Sequence, residues 1–409
     1  MKPESIFPGQ KFAFACVFGL SLAVFAHAQS FSVVHNFTGG EDGGVPWNGL
    51  TAGNGGSLGI TASPHGSGSA SFYGTASTGG SSGYGVVFSM GANGVETVLH
   101  NFAGGTDGAN PYSGLIIDKS GNLYGTTTAG GASGLGTVFE VAGDKETVLY
   151  SFAGDKDGAD PIASLVFDAN GNLYGTTSQG GANGNGTVFE LAAPKAKGDN
   201  WTETVLYSFG TGTDGSDPVG GVSFDSAGNL YGTTAGGGAY GYGIVFQLVA
   251  ASAWSENILH NFQDGNDGGV PYAGLVSDKA GNFYGAATEG GSNGGGTVFE
   301  LIASKGSWTF NEIYSVPGWG ISGTFRNLVI DGSGNLYATT HCDGSYNAGT
   351  VYELTPSGGN WNYKQLYTFT GGSDGLYSVS NLVLSNGKLY GTTLYGGATN
   401  NGVVYEVTP

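Results

Sequence analysis

The residues most able to do chemistry in this chain are few, and most of them recur. His341, Cys342 and Asp343 stand side by side and hold a base, a thiol and a carboxylate, the ingredients of nucleophilic catalysis. Adjacency in sequence is not the geometry that activation requires, and no second mature cysteine supports a metal cluster. A more regular signal is Asp-Gly-x-x-Pro, which starts at Asp42, Asp107, Asp157, Asp214 and Asp267, with Asp374 in register but lacking the proline. The residue after the proline position is Trp47, Tyr112, Ile162, Val219, Tyr272, Phe325 or Val379. As turn chemistry, Asp-Gly opens a turn, proline stiffens it and the next residue plugs a gap. As site chemistry, Trp47, Tyr112, Tyr272 and Phe325 would stack on sugar rings while Asp42, Asp107, Asp214, Asp267 and Asp374 accept hydroxyl hydrogen bonds. Both readings stand at this level.

One segment resembles a cation loop. Asp155, Asp157 and Asp160 alternate around Gly158 like the start of a calcium loop, without its terminal bidentate glutamate. Calcium is therefore the cofactor to test, against an incidental acidic turn. His35, His100 and His260 occupy a place that holds Tyr150 and Tyr207 in sister segments, so they read as interchangeable and structural. Trp201, Trp254, Trp308 and Trp361 also share one repeated place, as end caps or as a contact stripe.

What must position these groups is a tandem repeat. GNLYGTT at 121–127 recurs at 171–177 and 228–234 with variants on either side, and its tyrosine falls at 73, 124, 174, 231, 284, 337 and 390. The spacings are 51, 50, 57, 53, 53 and 53, the period of a propeller or solenoid. Each of the seven units carries four strand-length apolar segments, A to D, exemplified by 114–118, 122–127, 136–141 and 146–152. Asp-x-x-Gly-Asn between A and B, at Asp118, Asp168, Asp225, Asp278 and Asp331, is a hairpin turn former. The last unit stops after segment C, and residues 31–37 supply a D segment with nothing before it. Pairing the two ends hides both sheet edges. The expected fold is all-β: a seven-bladed β-propeller of four-stranded antiparallel blades, closed by the N-terminal strand. Its blades run about 38–102, 103–152, 153–209, 210–262, 263–316, 317–369 and 370–409 plus 29–37. With strand A at the channel and D at the rim, the D-to-A crossovers and B-to-C loops share one face.

Residues 1–28 read as a signal peptide, with Lys2 and Lys11 before an apolar run from Phe12 to Ala26 and a small-x-small site ending at Ala28. That run is too short to span a bilayer, so no membrane span is expected after cleavage. Export points to the periplasm or the extracellular space. The formal charge of -19, about -20 once the leader is gone, excludes nucleic acid and anionic lipid as partners. A glycan, a protein or a cation fits better, on a monomer.

The unit LYGTTxxGGxxGxGTVFEL, seen at 123–141 and 173–191, resembles the GloVer tandem repeat of secreted bacterial proteins. The likeness covers 31–409, strongest in units two to five. It is weaker in the first unit, which carries an insertion, and in the sixth, where HCDGSYNAG replaces the Gly-Gly loop. The resemblance implies export and a propeller-like array without an established activity. Members often carry a C-terminal anchoring tail, which this sequence lacks, so a soluble form is expected. The functional reading is a non-enzymatic binding or scaffold propeller that recognises a glycan or protein through the shared loop face. The alternative is a propeller enzyme, a lyase or hydrolase of polysaccharide or lactone using loop carboxylates and a divalent cation. The sixth unit, with Phe325, Arg326, His341, Cys342 and Asp343, is the one obvious break in the repeat where such a site would lie.

Overall fold

The computed structural model describes residues 29–53, 72–91, 93–196, 199–304, 306–318 and 322–409. The expected leader lies outside the described residues. Each repeat forms a four-stranded antiparallel sheet, and there are seven of them. In the first blade the strands are Leu50–Ala52 (A), Phe72–Ala76 (B), Val86–Met90 (C) and Glu96–Asn101 (D), paired in that order. Helical structure among the described residues is confined to two short 3-10 turns, Gly105–Asp107 and Ala250–Ser252.

A strand in a one-sided sheet alternates buried and exposed residues, yet the B strands Leu123–Thr127, Leu173–Thr177 and Leu230–Thr234 are buried at every position. Both faces of each blade are covered, because the blades stack on one another. The glycine inside LYGTT follows from that stacking. A Cβ on Gly125 would stand 2.7 Å from the tip of Phe139, and one on Gly175 2.7 Å from Phe189, so the strand C ring lies across a bare backbone. The sixth blade uses another solution: Ala338 fills the glycine place opposite Tyr352, whose hydroxyl reaches Thr324 Oγ1 at 2.8 Å.

Every C–D pair also carries a register shift at the same point. Val138 faces Tyr150 but Phe139 faces Val148, and the other six blades repeat this. The bulge bends the rim strand. At the A-to-B turn, the Asp118 carboxylate accepts the amides of Ser120 and Asn122 at 2.8 and 2.9 Å, and Asp168, Asp225, Asp278 and Asp331 repeat the geometry. These aspartates are turn formers. The four tryptophans are caps: Trp201, Trp254, Trp308 and Trp361 lie 5.5 to 6.3 Å from Tyr124, Tyr174, Tyr231 and Tyr284, each in the preceding blade.

The ring closes as its ends imply. Phe31–Asn36 is strand D of the seventh blade, antiparallel to Val403–Val407, with Phe31 opposite Val407 and Asn36 opposite Val403. Phe37 is fully buried and meets Phe88 of the first blade edge to face at 5.4 Å. Thr392 donates to the Pro46 carbonyl at 2.9 Å across the same seam. A shortened chain starting at Thr38 loses this strand and leaves Val403–Val407 as an open edge. Its melting temperature, read by circular dichroism, should fall by on the order of 10 °C; an unchanged value would refute closure.

Candidate functional site

The crossovers are built from backbone strain held at both ends. The residue before the proline place is left-handed in six of them: Val45, Asn110, Asp160, Asp217, Val270 and Tyr377, with φ between 53° and 61°. For a β-branched valine ahead of proline this is a costly conformation. Hydrogen bonds on both sides enforce it. The Asn110 amide donates to Tyr84 O in the blade before, and the Thr128 amide of the blade after donates to Asn110 O; Val45, Asp160, Asp217, Val270 and Tyr377 repeat the bridge. The crossover is thereby fixed to two blades, and the residue after the proline place is delivered to the mouth of the channel.

There the expected aromatic residues do come together. Trp47 and Tyr112 meet edge to face at 5.4 Å, and Tyr272 and Phe325 lie 5.3 Å apart. Phe325 continues to His341 at 5.1 Å and His341 to Tyr377 at 4.4 Å. All are partly exposed. The opposite arc, from Ile162 and Val219, has no aromatic residue at this place and carries Asp160 and Asp217 instead.

The crossover carboxylates go elsewhere. Asp107 Oδ2 accepts the Ala103 amide at 2.6 Å and lies 3.3 Å from His100 Nε2. Asp157 accepts the Ala153 amide and the Tyr150 hydroxyl at 2.9 and 2.8 Å. Asp214 takes Gly210 and Tyr207, Asp267 takes Gln263 and His260, and Asp374 takes Thr370 and Tyr367. Asp42 takes the Thr38 amide, with His35 Nε2 at 3.7 Å. Histidine and tyrosine interchange on strand D because each can donate to this aspartate seven residues on. The carboxylates staple their own turns toward the rim and are not aimed at the aromatic mouth.

A third member of each staple escaped the sequence reading, since it comes from the next blade. Glu96, Glu146, Glu203 and Glu256 each bury an Oε1 with no hydrogen-bond partner beside Asp42, Asp107, Asp157 and Asp214. Burial first, and the facing aspartate second, push Glu146 up to about 8 and Glu96, Glu203 and Glu256 up to about 7. His100, Asp107 and Glu146 bring ligand atoms within 4.8 Å of one another, the single such trio among the described residues. The expected calcium loop does not assemble that way: Asp157 bonds Tyr150, Asp160 bonds Ser178 at 3.1 Å and Asp155 is exposed. Local alternation of carboxylates was a weaker signal than a pairing across blades.

In the sixth blade His341 and Asp343 diverge. His341 joins the aromatic mouth, whereas Asp343 accepts from Thr340 and Thr350. Cys342 Sγ lies 2.8 Å from His341 Nδ1, and burial and Asp343 push its thiol above the usual range. A nucleophilic cysteine needs the opposite shift. Cys342 and Asp343 also line a cavity of about 700 Å³ with Tyr314, Ser322, Tyr363 and Gln365.

Below the mouth a narrow polar neck is formed where strand A begins. Asn381 Nδ2 donates to Asn48 Oδ1 at 2.9 Å, Asn48 Nδ2 to Ser164 Oγ at 3.3 Å, and the Asn327 amide to Asn381 Oδ1 at 3.0 Å. Arg326 enters this neck, 7% exposed, with its guanidinium carbon 5.9 Å from the centre of the Trp47 ring.

A family model for the Gloeobacter/Verrucomicrobia repeat matches residues 63–277 and 240–409. The chain belongs to that family. No curated protein matches it. Among solved structures, a protein from Lactobacillus plantarum has 15% identity and a TM-score of 0.51, over 79% of this chain and 87% of its own. Proteins of Bacteroides uniformis and Bacteroides fragilis, each assigned as a 6-phosphogluconolactonase, have 16% identity and TM-scores of 0.49 and 0.48. The matches cover 78% and 85% of this chain and 87% of each of theirs. At these identities the likeness is one of fold. In this repeat-family propeller the sister units, more than the distant structures, show which residues depart from the common plan.

The interblade glutamates set a pH dependence. Their folded pKa values lie above the ordinary carboxylate value of 4.5, so the native state binds their protons more tightly than the unfolded chain. The stability this contributes is complete below about pH 4.5 and is lost as pH rises through 7 to 8. Asp107 and His100 are the titratable groups that face Glu146. Glu146→Gln copies the protonated acid, so its melting temperature should exceed that of the wild type at pH 9 and change less between pH 5 and 9. A steeper pH slope in the variant would contradict a raised Glu146 pKa as the source of the pH dependence.

Proposed function

We propose that this protein is an exported binding propeller that holds a glycan on the face where the crossovers and B-to-C loops emerge. The observation that carries this reading is the pairing of Trp47 with Tyr112 and of Tyr272 with Phe325, partly exposed rings that four different blades supply from the same crossover position. Apolar ring faces suit the C–H faces of pyranose sugars, and fixed crossovers hold them at little entropic cost. The six crossover aspartates serve to hold the walls rather than to touch the ligand. The leader-like residues 1–28 fit export, and the strongly acidic composition repels a polyanion at long range.

A catalytic reading draws no comparable support. Cys342 Sγ meets His341 Nδ1, but Asp343 accepts from Thr340 and Thr350, and burial pushes the thiol above its usual range, away from the thiolate.

The test is a glycan array with residues 29–409, followed by titration of any hit against Trp47→Ala and Tyr272→Ala. Each substitution should weaken binding roughly tenfold, the loss of one stacked ring. An array without hits, or affinities indifferent to both changes, would remove the aromatic mouth as the binding site.

A further inference from the structure

Arg326 is the single arginine of the chain. Its sister positions are Asn48, Ser113, Ala163, Gly220, Ala273 and Ser380, all smaller and all uncharged. In a protein of net charge -19, a lone guanidinium would be expected to pair with one of 31 carboxylates on the surface. Instead it is buried in the neck of the channel. Among the described residues no carboxylate stands within ion-pair distance, and its Nε is buried without a hydrogen-bond partner. Burial alone, with no charged neighbour, lowers its pKa to about 10, so it remains a cation at neutral pH. A buried charge without a partner is costly, and a polar group so placed asks for a ligand.

The surroundings define what that ligand is. The neck holds a cavity of about 40 Å³, bounded by Asn48, Ser164, Asn327, Asn381 and Tyr272 beside Arg326. That is room for about three waters, or one carboxylate, and not for a sugar ring. Trp47 stands over the guanidinium at 5.9 Å, and the buried Nε is left without a protein partner among the described residues; a guanidinium fork suits a bidentate carboxylate. Immediately above lie the aromatic walls. A ring stacked on Trp47 or Tyr272 would thus point a substituent down into the neck.

We infer that Arg326 is an anion-binding residue that receives the carboxylate of a uronic-acid residue while the sugar ring rests on the aromatic mouth. This deepens the glycan reading and rests on it. The acidic surface repels a polyanion at long range, and salt screens that repulsion, whereas the buried contact is screened little. Affinity for an acidic oligosaccharide should therefore hold or rise with ionic strength, the reverse of binding by a basic surface.

The experiment is calorimetric titration of residues 29–409 with trigalacturonate and with its carboxyl-reduced, neutral form. Arg326→Ser installs the residue of two sister units, and Arg326→Lys keeps the charge without the fork. The wild type should prefer the acidic sugar, Arg326→Ser should lose at least tenfold for it while leaving the neutral form unchanged, and Arg326→Lys should fall between. Equal binding of the acid by wild type and Arg326→Ser would overturn the assignment. If the neutral form binds as tightly as the acid and Trp47→Ala weakens both, the carboxylate inference fails and the glycan reading stands. If neither sugar binds, the uronic-acid inference fails while the glycan array decides the glycan reading, and peptides ending in a free carboxylate that bind through Arg326 would replace the inference. Thermal melting separates ligand binding from a structural role: Arg326→Ser should melt at the same temperature as the wild type or higher, because it removes an unpaired buried charge. A drop of several degrees would show that the arginine supports the fold and would also overturn the proposal.

Discussion

Each blade of this ring buries both faces against its neighbours, so the fold depends on leaving no blade with a bare side. That requirement explains the fully buried B strands, the glycine under the strand C aromatic ring in six of the seven blades and the detached strand at residues 31–36. It also explains why Phe37 is buried completely although it lies close to the start of the described chain. Without Phe31–Asn36 the seventh sheet would end on a strand of unpaired amides and carbonyls, an edge open to other chains. Closure is therefore a stability device and a guard against association.

Stacking has an electrostatic consequence. At five of the seven interfaces a crossover aspartate from one blade faces a strand D glutamate from the next: Asp42 with Glu96, Asp107 with Glu146, Asp157 with Glu203, Asp214 with Glu256 and Asp267 with Glu312. The two interfaces of the sixth blade replace the pair with stacked rings, Tyr314 on Tyr363 at 4.6 Å and Phe31 on Tyr367 at 3.7 Å. The same blade brings Arg326, Phe325 and His341 to the channel. Departures at the interfaces and at the mouth thus gather in one blade.

The strained residues before the prolines connect architecture to site. A left-handed valine or aspartate is tolerable only because its amide and carbonyl are claimed by loops of two different blades. Those hydrogen bonds fix the next residue over the channel. The aromatic wall is therefore a property of the ring, with each member supplied by a blade that alone would not hold it.

Much of this was legible in the residue order. Seven units, four strands in each, the Asp-x-x-Gly-Asn turn, the capping tryptophans and the closing strand all depend on local pattern and on period, which a linear chain displays directly. The aromatic places after the prolines were legible too, because one repeated turn puts them in one repeated position. What the residue order left open was direction and partnership. Asp107 lies seven residues from His100 and thirty-nine from Glu146, and only the stacking of blades brings the three together. Asp155, Asp157 and Asp160, close in sequence, turn to different neighbours because the crossover backbone points them apart. Arg326 stood out in the sequence as part of an irregular unit, but a linear chain does not say whether a charge meets a carboxylate or a cavity. Residue types and spacing determined the ring and its mouth; the tertiary structure alone decided which charges would be paired, because burial and pairing depend on distances between blades.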